Sequence, residues 1–498
     1  MLTDQRVSNR IAIIDVGSNS VRLVVFDGMT RAPAPIFNEK VMCGLGRDPE
    51  NTGRLNPEGV EMATAALRRF ARLLRAMKVT RVDILATAAV RAASDGQAFC
   101  DRVHAETGLT VKVIDGLEEA RLSAFGIISG DRRATGIMGD IGGGSLELVL
   151  LEEGEIKKSV SVPLGAMRLH AVFGADRARL EAEVKTHLDT VDWLHEGAGK
   201  PLIAVGGSWR SIAKLYIAQE NYPISVVHNL TMPRTEIAEL THIISQQSRV
   251  SLDKVGGVSK RRIDSLPHAG LVMNMLLERM QAKEVVFSSH GLREGWMYEA
   301  LPAELRERDP LLDACLSFAE DGERFHQHGE ELYRWSAPIF REQPGNLGRL
   351  RLAACIIGDV GWNEHPDYRA IQSYNRILHH PYLDLNHHDR VFLAYTIGSR
   401  YTGNFKGDES SDRLLDDDTR NIGRLYGHAI RLGHTLSGGV EGILPGTALV
   451  LEDKVLMLQM HRDFAALNGE VVEQRLSKLA KLMDCESQVV IVDQLPQP

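Results

Sequence analysis

The stretch IAIIDVGSNSVRLVVF (Ile11–Phe26) recurs as GIMGDIGGGSLELVLL (Gly136–Leu151) at one constant offset of 125 residues. Asp15 falls on Asp140, Gly17 on Gly142, Ser20 on Ser145 and Leu23 on Leu148. Each copy passes from an apolar run through an Asp into Gly and small hydroxyl residues, then into a second alternating apolar run. That pattern predicts a β-hairpin with a tight polar turn. Such a turn suits a phosphate: glycines let the backbone approach an anion and adopt positive φ, consecutive N–H groups form an anion nest, and serine hydroxyls add donors. The Asp ending each strand can bind Mg2+ or orient a water. One Gly-rich turn usually just connects strands, whereas two in register predict two similar lobes facing across a cleft, each lending a turn to a shared phosphate site. A third segment, PLIAVGGSWRSIAKLY (Pro201–Tyr216), starts like a strand, passes through Gly206, Gly207 and Ser208, and continues with helical spacing through Ile212 and Leu215. Its helix N-terminus offers another anion site.

The chain has 498 residues, enough for about three domains. With 44% hydrophobic and 25% charged residues it has the composition of a globular protein. It has no apolar run near the roughly 20 residues that span a bilayer, and the N-terminal MLTDQRVSNR carries no signal-peptide pattern. Cys43, Cys100, Cys315, Cys355 and Cys485 are odd in number, scattered and without a CxxC pair, which predicts reduced thiols and a cytoplasmic protein. A net charge of −8 argues against a nucleic-acid partner but leaves a polyanionic substrate open. Short basic clusters, Arg68-Arg69, Lys157-Lys158 and Lys260-Arg261-Arg262, read first as solvated surface.

Along the chain, Asn56 caps a predicted helix with Pro57 at its first position and a stripe of Val60, Ala63, Leu67, Phe70, Leu74 and Met77. VDILATAAV (Val82–Val90) reads as a strand entering a loop that holds Arg91, and VKVID (Val111–Asp115) as a strand. LEEARLSAFGII then opens a helix with Glu118 and Glu119 in its first turn. After the charged, proline-bearing junction LPAELRERDPLL (Leu301–Leu312) the pattern turns helical, and strand character returns in GTALVLEDKVLMLQM and QVVIVDQL. The expected fold is α/β, with two similar lobes over 1–128 and 129–305, a helical domain over 306–435 and a small α+β part over 436–498.

With IDVGSNSVRLVVF, LATAAVR, IDGLEEARL, GDIGGGSLELV, AVGGSWRSIA and GLREGWM in this order, the chain resembles the exopolyphosphatase / guanosine pentaphosphate phosphohydrolase (Ppx/GppA) family. The resemblance implies an actin-like fold for the two lobes and Mg2+-dependent hydrolysis of a terminal phosphate. By motif, Glu119 would be the base that activates water, and Asp140 and Glu147 would hold Mg2+ and water. Ser18, Asn19, Ser20, Gly143, Gly144 and Ser145 would grip the terminal phosphate together with the turn residues Asp15, Gly17 and Gly142, and Arg91 would reach its equatorial oxygens. Without the resemblance, Glu118 and Glu119 read as acids favoured at a helix N-terminus, Asp140 as a turn cap, Glu147 as an exposed strand residue and Arg91 as a solvated loop end. In the third segment the chain has Gly207-Ser208-Trp209 where the family often has Gly-Gly-Thr.

The C-terminal half resembles the helical extension of longer family members, which is related to metal-dependent HD phosphohydrolases. Where an HD pair would stand the chain has Gly358-Asp359, so His328 and His365 are expected to be structural or substrate-facing, and His379-His380 and His387-His388 to be surface loop residues. The resemblance implies a non-catalytic domain that lengthens a polyphosphate groove and supports a homodimer. The expected activity is removal of orthophosphate from inorganic polyphosphate, with pppGpp as the alternative substrate. An ATP-dependent sugar or acid kinase on the same lobes and a phosphate or alarmone sensor without turnover are the more distant readings.

Overall fold

The computed structural model describes residues 10–46, 53–247, 262–322, 328–340, 343, 345–381 and 383–496. Lys260 and Arg261 of the third basic cluster therefore lie outside the described residues. The chain divides into two compact units, one ending at Arg308 and one beginning at Asp309.

The first unit contains two sheets of the same design. In the first, β1 (Ile11–Val16), β2 (Ser20–Phe26), β3 (Pro35–Met42), β4 (Arg81–Ala86) and β5 (Val111–Val113) lie in the order β3-β2-β1-β4-β5. The first three strands are antiparallel neighbours, while β4 and β5 run parallel to β1. In the second sheet, β6 (Gly136–Ile141), β7 (Leu146–Glu152), β8 (Glu155–Val162), β9 (Leu202–Val205) and β11 (Glu284–Phe287) repeat that arrangement as β11-β9-β6-β7-β8, and β10 (Leu230–Pro233) adds an antiparallel edge. The duplicated sequence is thus a duplicated hairpin, β1–β2 and β6–β7.

Helices fill the crossovers that parallel pairing demands. Pro57–Ala76 starts where expected, with the Asn56 side chain accepting from Gly59 N–H, and buries Ala63, Leu67, Phe70 and Leu74. β5 ends at Val113, two residues before the expected end, because Asp115 is used as a helix cap: its side chain accepts from Glu118 N–H at the start of the Gly116–Gly130 helix. Arg91 sits on a short helix, Ala88–Ala92, and not in a loop.

Two helices exchange partners between the lobes. Ala120, Ala124, Ile127 and Ile128 of Gly116–Gly130 pack with Met138, Val149, Leu151, Ile203 and Val205 of the second sheet. Leu292, Trp296 and Met297 of the Leu292–Ala300 helix pack back on Ile11, Ile13, Val24, Phe26 and Leu85 of the first sheet. Where these helices cross, glycines let backbone touch backbone: a Cβ on Gly295 would lie 1.7 Å from the Leu122 carbonyl oxygen, and one on Gly126 would lie 2.3 Å from that of Gly291.

The second unit has helices Pro310–Gly322, His328–Ser336, Leu347–Ile356, Arg369–Leu378, His387–Tyr401 and Asp417–Ser437. A three-stranded sheet follows, β12 (Thr447–Glu452), β13 (Val455–His461) and β14 (Glu486–Val492), with Glu470–Leu482 crossing between β13 and β14. Asp359 is buried and accepts from Arg400 at 2.9 Å, and the same guanidinium contacts His434 Nδ1 at 2.6 Å. His328 is buried with its Nε2 2.9 Å from Ser437 Oγ, whereas His365 is exposed beside Asp367. His387 and His388 open a helix, and His387 is buried, because Asn386 caps that helix and turns its first residue inward. No helix among the described residues is long and apolar enough to cross a membrane.

Candidate active site

The two hairpin turns are closed by the same hydrogen bond, Gly17 N–H to Ser20 O at 3.0 Å and Gly142 N–H to Ser145 O at 2.9 Å. Both are tied from behind through their carbonyls. Ser18 O accepts from Gly46 N–H, and Asn19 O from Cys43 and Gly44 N–H. In the second turn Gly142 O accepts from Ala166 N–H, and Gly143 O from Met167 and Arg168 N–H, at the start of the Ala166–Phe173 helix. The N–H groups of Ser18, Asn19, Gly143 and Gly144 have no backbone partner among the described residues, so each turn keeps donors free for an anion. The turns meet: a Cβ on Gly143 would lie 2.8 Å from Ser18 Cβ, and one on Gly144 3.1 Å from Ala88 Cβ. Glycine is needed there because the opposite turn occupies the space of a side chain.

Around this meeting point lies a cavity of about 180 Å3. It is lined by the expected Asp15, Gly17, Ser18, Asn19, Ser20, Glu119, Asp140, Gly142, Gly143, Gly144, Ser145, Gly206, Gly207 and Ser208. The third segment enters as expected: β9 ends at Val205, Gly206 takes φ 104°, and the Gly207–Gln219 helix begins facing the cavity. Trp209 lies away from it, fully buried, with Nε1 donating to Ala269 O at 3.0 Å and its ring against Gly139. It is a core residue.

Arg91 and Glu147 do not line the cavity; they stand behind its wall. Arg91 donates through Nη1 to Glu119 at 3.1 Å and to Ile114 O at 2.8 Å. Glu147, with 1% of its surface exposed, accepts from Ser161 Oγ at 2.8 Å and from the Ser145 side chain. Asp140 accepts from Ser123 Oγ at 2.7 Å. Glu119 and Ser123 are four residues apart on one helix and so share a face.

Crowding of acids sets the electrostatics. Burial, opposed by Arg91 and reinforced by Asp140, lifts Glu119 to about 7. Burial together with Glu119 and Asp140 pushes Glu147 well above the carboxylate range, and burial also raises Asp15 and Asp140. These acids form a corner of hard oxygen donors, the donor type that suits Mg2+. Asp140 and Glu147 each have a serine hydroxyl on the carboxylate, the orienting contact expected around a metal ligand.

The cavity is also lined by a set of cations, which sequence reasoning missed. Arg22, Lys40, Arg210, Arg262 and Arg293 all line it. Arg293 is 8% exposed and keeps a buried Nη1 without a hydrogen-bond partner among the described residues. Burial, with Arg293 repelling, lowers Arg22 and Arg210 to about 10. Lys40 presents an exposed side chain at the margin, yet the surrounding protein thins its hydration and Arg262, Arg22 and Arg210 repel it, bringing its ammonium down to about 8. One of the five was visible in the duplication: position 22 plus the offset of 125 is Glu147, so the repeat holds a cation in one copy and an acid in the other.

Residues 24–304 match the model of the Ppx/GppA phosphatase family, and residues 315–490 match that of the exopolyphosphatase C-terminal domain. Among similar proteins, retrograde regulation protein 2 of Saccharomyces cerevisiae is 29% identical over 345 residues, covering 62% of this chain but only 59% of its own length. Exopolyphosphatase 1 of Mycobacterium tuberculosis is 28% identical over 313 residues, 59% of this chain and 89% of that protein. A guanosine-5'-triphosphate,3'-diphosphate pyrophosphatase of Vibrio campbellii is 24% identical over 490 residues, 92% of this chain and 93% of that protein. The crystal structure of an exopolyphosphatase from Cytophaga hutchinsonii shares the fold, with a TM-score of 0.55 and 24% identity over 59% of this chain and 99% of that one.

Proposed function

Because the chain belongs to the Ppx/GppA phosphatase family, we propose that it is an exopolyphosphatase, removing orthophosphate from the end of inorganic polyphosphate with Glu119 activating the water. The observation that carries this reading is a buried carboxylate held near neutrality beside two facing anion-binding turns. The terminal phosphoryl group sits between the N–H groups of Ser18, Asn19, Gly143 and Gly144. A water next to Glu119 gives its proton to the carboxylate as its oxygen bonds to phosphorus, and the bridging P–O bond breaks to release the shortened chain. Arg91 fixes the rotamer of Glu119 through their 3.1 Å contact. Bound at Asp140, with Glu147 behind it, Mg2+ would supply neutralisation of charge on the phosphoryl oxygens. Phosphoryl transfer depends on such positioning and charge compensation more than on covalent help.

The Vibrio relative, similar across both units, favours pppGpp as a second substrate of the same site. Phosphate release from long-chain polyphosphate and from pppGpp, in Mg2+ and without other nucleotide, tests both. Wild type should act on polyphosphate, and Glu119→Ala should lose about 10²–10⁴-fold in kcat while staying folded. No release from either substrate would sink the hydrolase reading, and an unimpaired Glu119→Ala would remove Glu119 as the base.

A further inference from the structure

The duplicated register extends into a third strand of each lobe. In the first lobe Asp15 on β1 stands opposite Arg22 on β2, and Arg22 opposite Lys40 on β3. In the second lobe the corresponding row is Asp140, Glu147 and Ser161. The same cross-strand row therefore starts from an Asp in both lobes, then continues through an acid to a serine in one and through two cations in the other. The acidic row runs back into the protein, since Glu147 is buried and Ser161 donates to it. Every member of the cationic row lines the cavity.

Lys40 ends its row at the edge of the sheet, exposed, with no hydrogen-bond or ion-pair partner among the described residues. Its charged surroundings are Arg22 on the same sheet, Arg210 and Arg262 from the second lobe, and Asp15. Of these neighbours only Asp15 is acidic, and it lies two strands away. A cation kept among like charges is the arrangement that concentrates an anion. Neighbouring strands stand about 4.8 Å apart, so the row steps outward from Asp15 at a spacing of the same order as that between linked phosphoryl groups. A chain whose end lies between the turns would pass Arg22 and then meet Lys40.

Resting on the hydrolase reading, we propose that Lys40 is a specificity-determining residue that binds an inner phosphate of linear substrates with three or more linked phosphates. Such a contact is out of reach of pyrophosphate, whose two groups are used up at the turns and Arg22. Lys40 thus sets the length of phosphate chain that the site selects.

The test is kcat/KM of the full chain and of Lys40→Gln on pyrophosphate, tripolyphosphate and long-chain polyphosphate, at fixed ionic strength. Lys40→Gln should lower kcat/KM for tripolyphosphate and longer chains by roughly 10–100-fold, the loss of one charge-assisted contact, with the loss in KM. The preference for tripolyphosphate over pyrophosphate should shrink by at least about tenfold, and Lys40→Arg should restore it. An unchanged preference ratio in a folded variant overturns the proposal while leaving the hydrolase reading intact. If wild type hydrolyses none of the three, the hydrolase reading falls, and calorimetric binding of tripolyphosphate decides Lys40 by itself: weaker binding by Lys40→Gln upholds the contact, and equal binding overturns it.

Discussion

Glu119 is a carboxylate buried beside a guanidinium and next to other acids, and its ionisation at about 7 has two consequences of opposite sign. As the proposed base it acts only when ionised, so kcat/KM should fall about tenfold per pH unit below roughly 7, a limb that a pH–rate profile would show and that Glu119→Gln would abolish. For stability the sign reverses. A carboxyl whose folded pKa lies above its unfolded value makes the fold bind more protons than the unfolded chain, so its contribution to stability declines as pH rises from the unfolded value near 4.3 through the folded value near 7. In metal-free buffer at pH 8, Glu119→Gln should therefore melt above wild type, by about 1–3 kcal/mol of stability, and the gap should close near pH 4. Much at this scale was legible beforehand, because glycines, serines and aspartates at matched positions carry their chemistry locally. The set of cations was not legible. Arg22 and Lys40 are ordinary polar residues of alternating strands until the register of β1, β2 and β3 brings them into one row with Asp15.

Secondary elements were readable from apolar runs, cap and turn chemistry, as the Asn56 cap and the paired apolar runs of the two hairpins show. An apolar stripe reveals which face of a helix is buried but not which sheet buries it, so the exchange of Gly116–Gly130 and Leu292–Ala300 between lobes could not be read. The exchange matters for the site. Glu119 and Ser123 ride on the first of these helices, and Arg293 on the second. Their crossing at Gly126, Gly291 and Gly295 keeps Glu119, the Ser123–Asp140 contact and Arg293 at fixed spacing. Gly295→Ala puts a methyl group 1.7 Å from the Leu122 carbonyl oxygen, which a backbone atom cannot yield without moving its helix. Denaturant unfolding should show a loss of about 3 kcal/mol or more. The residual activity of the folded fraction should drop as well, since Glu119 moves with Leu122.

Across the molecule, the chain's own division after Arg308 separates a unit that carries the acids and turns from one built around different chemistry. In the second unit Asp359 has Arg400 as a hydrogen-bonded counter-ion, with His434 on the same guanidinium, so the polar centre of that helical array is closed by an arginine. Removing one partner of a buried pair leaves the other charge unmatched, and Asp359→Ala should cost about 3–5 kcal/mol in the unfolding transition that reports this unit, followed by its tryptophan and tyrosine signals. The missing histidine before Asp359 was visible in the sequence, but the arginine that answers it, 41 positions later, required the fold. The helix exchange in the first unit also sets a schedule for synthesis. The first sheet is complete once β5 at Val111–Val113 has emerged from the ribosome, yet Leu292, Trp296 and Met297, which cover its inner face, follow almost 180 residues later. At translation speeds of about 5–20 residues per second, Ile11, Ile13, Val24 and Phe26 wait for this part of their cover for roughly 10–40 s, with only Ile114 and Leu122 of their cluster joining them earlier beside Leu85. The nascent chain thus carries a partly open apolar sheet through more than a third of its synthesis, a surface exposed to aggregation until the covering helix arrives.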